Sequence, residues 1–203
     1  MFKNIVFIVF LILIVNPSYS LDYDGFSEHS VIENTINKNY SITDEQKEGF
    51  VARKLQPSVK CLNEEIKKGN IENVEFLLKA KIDPNGNYIT EYPVLVAARY
   101  NKAEIVKLLI EYGAKLDRGF YSELYEAIKN KNKELAEYLI NNNAKINYQD
   151  VLTNNTVLYL SLKNKMYDTS RLLILKGAKA DVKSIRYIQK HKLQNLIETE
   201  NSK

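Results

Sequence analysis

A fifteen-residue phrase recurs along this chain, and the recurrence limits the fold more than any composition does. "AEIVKLLIEYGAKLD" (103–117) is preceded by "IENVEFLLKAKIDPN" (71–85) and followed by "KELAEYLINNNAKIN" (133–147) and "YDTSRLLILKGAKAD" (167–181). Leu77, Leu109, Leu139 and Leu173 hold one register, at spacings of 32, 30 and 34 residues. A period in this range marks a solenoid of stacked helix pairs. One unit cannot bury its apolar face alone, so each closes its core against the next. The expected class is all-α: antiparallel helix pairs joined by short connecting hairpin loops.

Helix pairs are expected at 58–68 with 71–80, 93–100 with 104–112, 122–130 with 134–142, and 156–164 with 168–176. Four repeats therefore occupy 58–181. Before them, "TDEQKEGFVARKL" offers Thr43 as N-cap and Gln46 three residues on, a capping-box pattern, so 43–57 reads as an N-terminal capping helix. Pro57 suits the first turn of the next helix. Beyond the repeats, 182–203 reads as a C-terminal capping pair and tail. There Ile185, Ile188, Leu193, Leu196 and Ile197 would close the stack, and Lys183, Arg186, Lys190 and Lys192 would solvate its outer face.

The N-terminus is a different kind of sequence. Residues 1–20 combine Lys3, an apolar run from Ile5 to Val15, a break at Asn16-Pro17 and small residues at Ser18 and Ser20. That is the layout of a secretory signal peptide cleaved after Ser20. The alternative, an uncleaved anchor, needs roughly 20 apolar residues. No later segment is long and apolar enough to span a membrane. The chain is thus expected to be exported, periplasmic or secreted, and monomeric. Asn39-Tyr40-Ser41 and Asn154-Asn155-Thr156 are formal glycosylation sequons, which leaves a eukaryotic secretory route open.

The formal net charge is +4, but it is unevenly spread. Residues 21–48 hold seven acids (Asp22, Asp24, Glu28, Glu33, Asp44, Glu45, Glu48) against Lys38 and Lys47. Residues 21–42 lack sustained periodicity and read as an acidic, flexible leader ahead of a basic body. Cys61 is the only cysteine, so no intramolecular disulfide forms. It is either a half-buried helix residue or an intermolecular bridge.

Catalytic chemistry finds no foothold. His29 and His191 have no partner spacing, there is no zinc-type Cys/His cluster, and no glycine loop shaped for phosphate. Glu64 and Glu65 are adjacent and expected to be solvated. Neither enzyme activity nor a cofactor is expected.

The segment "YPVLVAARYNKAEIVKLLIEYGAKLD" (92–117) resembles an ankyrin repeat, through Pro93, Ala97, Ala98, Glu104, Ile105, Val106, Leu108, Leu109, Gly113 and Ala114. The other three units repeat the likeness in phase. The family's turn histidine is replaced by Asn63, Leu95, Tyr125 and Tyr159, and the two tyrosines are expected to substitute through their hydroxyls. The glycine of the turn within each pair survives only as Gly69, with Asn101, Lys131 and Lys165 at the equivalent places. A lysine held there at positive φ costs roughly 1 kcal/mol relative to glycine. The linker between repeats two and three is short, so its hairpin is expected to be truncated.

The resemblance implies a module that binds proteins by its concave face. The positions after the alanine pair are Lys67, Arg99 with Tyr100, Lys129 with Asn130, and Lys163 with Asn164. Four cations, one per repeat, would make a basic stripe for an acidic partner, with Tyr88, Tyr92 and Tyr121 near the hairpin tips as anchors. Nucleic acid is not an expected partner of an exported chain without a recognition motif. A structural or protective role in the cell envelope, beside an enzyme, and a secreted effector are the alternatives. The acidic leader would compete for the stripe.

Overall fold

The computed structural model describes residues 42–196; the signal-like segment, the leader up to residue 41 and residues 197–203 lie outside it. The described chain forms ten α-helices. A leading helix, α1 (Asp44–Arg53), precedes four pairs: α2 (Val59–Lys68) with α3 (Ile71–Lys79), α4 (Pro93–Arg99) with α5 (Ala103–Glu111), α6 (Glu123–Lys129) with α7 (Lys133–Asn141), and α8 (Val157–Lys163) with α9 (Tyr167–Leu175). The last helix, α10 (Val182–Lys190), is followed by a short 3₁₀ turn, Gln194–Leu196. Each helix end in the four pairs falls within one residue of its expected place. Among the described residues, no helix is long and apolar enough to cross a membrane.

Caps explain this precision. Ser58, Ser122 and Thr156 each accept the backbone N–H three residues on, from Cys61, Tyr125 and Tyr159, and so start the first helix of their pairs. In the second repeat Pro93 takes the first helical position instead. Thr43 and Gln46 form the reciprocal capping box at α1. Pro57 departs from expectation: it lies before the cap Ser58, outside the helix. The intra-pair turns run through left-handed residues: Gly69 at φ 80°, Asn101 at 56°, Lys131 at 58° and Lys165 at 60°. Replacing Lys131 and Lys165 by glycine is expected to raise unfolding free energy by about 1 kcal/mol at each site. Urea denaturation measures it, and no gain at either site would mean that the lysines sit there without strain.

First helices pack in one row (α2, α4, α6, α8, α10) and second helices behind them. The inner row approaches closely because Ala97, Ala98 and Ala127 are fully buried between neighbours. Leu77, Leu109, Leu139 and Leu173, the four register leucines, are completely inaccessible to solvent. At the front, Phe50 of α1 meets Phe76 edge-on at 4.9 Å, and Arg53 covers the same ring at 4.5 Å. At the back, Ile188 is buried, but Ile185 is exposed and contributes little to closure. Lys183 does not simply solvate an outer face. It donates to the carbonyls of Thr153 and Asn154 and to Asn155 Oδ1, which ties α10 to the preceding linker.

Two further expectations are revised by packing. Glu65 is buried, not solvated: the turn of α2 points it inward, where Lys68 and Asn73 donate to its two oxygens at 2.6 and 2.8 Å. Burial pushes its pKa up, yet these two donors more than offset that and hold it below the ordinary value. Of the two tyrosines at the histidine position, Tyr125 does use its hydroxyl, 3.1 Å from Thr153 Oγ1. Tyr159 instead stacks edge-on against Tyr187 and under Lys183. Cys61 is buried in α2, and burial raises its thiol pKa.

The linkers between pairs project as fingers. Isolated β-bridges close the first (Tyr88 with Glu91) and the third (Gln149 with Thr156). The shorter second linker has no such bridge among the described residues, as expected of a truncated hairpin.

Candidate functional site

The first helices and the fingers frame an open groove of about 580 Å³, lined by Lys67, Tyr88, Ile89, Thr90, Glu91, Arg99, Tyr121 and Glu126. Four of the expected contact residues, Lys67, Tyr88, Arg99 and Tyr121, line it. Their positions follow from the repeat: Lys67 and Arg99 lie in the last turns of α2 and α4, while Tyr88 and Tyr121 come from the first and second fingers.

The cations do form a row, but acids interleave it. Lys67 Nζ lies 3.0 Å from Glu91 Oε2, and Arg99 reaches Glu91 Oε1 at 2.8 Å. Arg99 also lies 3.6 Å from Glu126 Oε1, and Lys129 is 3.3 Å from Glu126 Oε2. The order across three repeats is therefore Lys67, Glu91, Arg99, Glu126, Lys129. Glu126 is buried between these two cations, and removing either partner of a buried pair is the costly change. Lys163 continues the row, exposed and with no ion-pair partner among the described residues. The face is thus a charge-alternating strip ending in a free cation, not an unopposed basic stripe.

Every tyrosine expected at the tips carries a cation of this chain on its ring: Lys60 on Tyr88 at 6.0 Å, Arg118 on Tyr92 at 5.4 Å and Arg99 on Tyr121 at 5.5 Å. Lys67 does the same to Tyr100 at 5.8 Å. Such contacts hold an aromatic ring in one orientation while leaving its other face and edge open. Asn130 and Asn164 are placed differently. Asn130 Nδ2 donates to the carbonyls of Ala98 and Arg99, and Asn164 Nδ2 to that of Ile128. Both amides are committed to the end of the preceding repeat's first helix.

Sequence reasoning missed the two acids and the fingertip residues. Glu126 stands three residues before Lys129, a helical pairing distance that could have revealed it. Glu91 sits in a linker, where no periodicity speaks for it.

The geometry defines the class: a repeat solenoid with one polar, aromatic-bearing face and projecting fingers. Residues 62–150 match the family model described as ankyrin repeats, in three copies, and the chain carries ankyrin repeats. It is similar to two fowlpox virus (strain NVSL) proteins described as putative ankyrin repeat proteins, FPV240 at 32% identity over 117 residues (56% of this chain) and FPV031 at 30% over 94 residues (44% of this chain). The chain spans about 28% of the length of each of these relatives. The crystal structure of the human ASB11 ankyrin repeat domain superposes with a TM-score of 0.54 at 23% identity, over 70% of this chain and 71% of that one, a likeness of fold. Ankyrin repeats generally mediate protein–protein interaction and are typically non-catalytic.

Proposed function

We propose that this chain is an exported, non-catalytic module that binds a protein partner on the face built from α2, α4, α6 and the first two fingers. The observation that carries the reading is the groove itself. It presents Tyr88 and Tyr121, each with a cation of this chain on its ring, around a charge strip whose members are held by one another, and Tyr92 and Tyr100 carry cations in the same way outside its lining. Pre-oriented aromatic and arginine side chains lose little freedom on binding and dominate interface energies. Lys163, exposed and without an ion-pair partner among the described residues, extends the strip and favours a partner acidic at that end. Export is supported by the sequence of residues 1–20, and on that reading the encounter takes place outside the cytoplasm, in the periplasm or beyond.

Arg99 is a poor handle for a test, because its loss leaves Glu126 buried beside one lysine. Tyr100→Ala, Tyr121→Ala and Lys163→Glu remove exposed or half-exposed groups instead. Affinity capture from envelope and secreted fractions, run with the wild type and the triple variant, is expected to return one partner with the former only. Affinity for that partner should fall by at least about tenfold per tyrosine. Equal capture by a variant of unchanged helicity would reject this face. N-terminal sequencing of the recovered protein is expected to begin at Leu21, and a start at Met1 in a cytoplasmic fraction would reject export.

A further inference from the structure

The charge strip has a fixed interval as well as an order. Lys67, Arg99, Lys129 and Lys163 each lie in the last turn of a first helix, so neighbours stand one helix spacing apart, about 10 Å. Asparagine rivets hold that interval. Asn130 Nδ2 donates to the carbonyls of Ala98 and Arg99, and Asn164 Nδ2 to that of Ile128, which ties the ends of α6 and α8 to the helix before each. The three intervals differ in their acids. Glu91 lies 3.0 Å from Lys67 and 2.8 Å from Arg99, near the middle of the first interval, and its side chain is 26% exposed. Glu126 stands between Arg99 and Lys129 in the second, but at 8% exposure it offers a partner little to reach. In the third interval Lys163 has no ion-pair partner among the described residues. Asp150 keeps its charge, yet it accepts from the Thr153 N–H and hydroxyl at 2.8 and 2.6 Å and makes no ion pair with the row among the described residues.

We propose that the occupant of this face is one α-helix of the partner protein, laid along the strip, with an acid at every seventh residue and a single base between its first two acids. The proposal rests on the protein-binding reading of the same face and gives the partner its class. The match is one of periods. An α-helix returns to the same side every seven residues, after about 10.5 Å, close to the interval between the cations. An extended strand returns every second residue, after about 6.7 Å, and is out of step by the next repeat. A polyproline helix returns after about 9.3 Å, but places no residue on that side at half the interval, where Glu91 stands. The α-helix does, because its residue four along projects from the same side about 6 Å on. Charge complementarity then sets the order on the partner: an acid for Lys67, a base for Glu91, an acid for Arg99, no charge opposite the inward Glu126, and acids for Lys129 and Lys163. The single base gives the contact one direction. A helix laid in reverse would set that base in the third interval, where the row offers it no acid.

The test uses the full chain and two fluorescent, alanine-rich helical peptides of about 25 residues, long enough to cross the four cations. In the first, glutamates recur at every seventh residue and one lysine stands four residues after the first of them. The second has the same composition with glutamates at every fifth residue, which winds them around the helix. Fluorescence anisotropy is expected to show the first peptide binding at least about tenfold more tightly than the second, with the advantage shrinking at high salt. Lys163→Glu, at an exposed position, should weaken the first peptide severalfold. A peptide whose last glutamate is replaced by lysine should recover that loss on the variant and on it alone. Equal affinity for the two peptides, binding of neither, or failure of the charge exchange to restore binding overturns the helical partner. A partner captured by the wild type and lost with Tyr100→Ala and Tyr121→Ala, alongside any of those three results, would leave the binding face standing and remove the helix from it.

Discussion

Glu123→Gln is expected to stabilise this protein at pH 8 by about 3 kcal/mol and to leave it almost unchanged at pH 4.5. Glu123 opens α6 and is only 1% exposed. Burial pushes its pKa from 4.5 to about 7; the Asp117 N–H, donating to Oε2 at 3.1 Å, resists the rise, and the facing Asp117 carboxyl adds to it. Asp117 is itself raised, by burial first, with the Lys145 N–H and the Lys145 charge opposing. In the unfolded chain Glu123 titrates near its ordinary value. Between about pH 4.5 and 7 the folded state therefore keeps a proton that the unfolded state has lost, and stability falls as pH rises through that window. Above it the loss is complete, having grown by about 1.4 kcal/mol for every pH unit crossed. Glutamine keeps an acceptor for the Asp117 N–H and removes the charge. Urea unfolding of both proteins from pH 4.5 to 8.5 measures the difference, and an unaltered pH slope in the variant would place the proton elsewhere.

The first fingertip should yield the second large effect. Tyr88 and Glu91 exchange backbone hydrogen bonds at 3.2 and 3.1 Å across Ile89 (φ 50°) and Thr90 (φ 63°). A two-residue turn with both φ positive calls for Asn-Gly. Here it holds two β-branched residues, each at a cost of about 1–2 kcal/mol. Ile89→Asn with Thr90→Gly is expected to stabilise the chain by about 2 kcal/mol, seen as a higher denaturation midpoint at unchanged slope. Strain of this kind persists where function holds it in place. The stabilised variant is therefore also expected to capture the partner less well, because Glu91 and Tyr88 flank the altered turn. A variant no more stable than wild type would show that the turn relaxes without strain.

The helix pairs were legible because local signals agree with packing. The leucine register, the Ser and Thr caps and the turn residues each mark the same boundaries, and none needs a distant contact. The candidate site was legible in part for the same reason. Lys67, Arg99, Lys129 and Lys163 recur with the repeat, so periodicity finds them. What periodicity cannot supply is pairing across linkers. Glu91 is 24 residues from Lys67, and it turns a basic stripe into an alternating one only because a strained turn brings it back to α2. Glu65 shows the same limit: Asn73 lies on the next helix, and only the antiparallel pair puts its amide against that carboxylate. Ile89, Phe120 and Val151 stand 31 residues apart in the sequence, but they lie in linkers, where no helical period marks them.

The linkers also give the stack a direction. Asn85 holds the next repeat by accepting from the Lys115 N–H and donating to the Gly113 carbonyl. Asp117 accepts from the Lys145 N–H, and Asn147 from the Lys179 N–H. Each repeat thus extends one polar hand forward and offers a bare backbone group to the hand behind. At Asp181 the pattern changes, and the side chain folds back to cap its own helix through the Ser184 N–H. Assembly of such an array has a grammar with a full stop. A repeat grafted behind Asp181 would meet no outstretched hand, whereas one inserted after Asn85 or Asn147 would be grasped as its neighbours are.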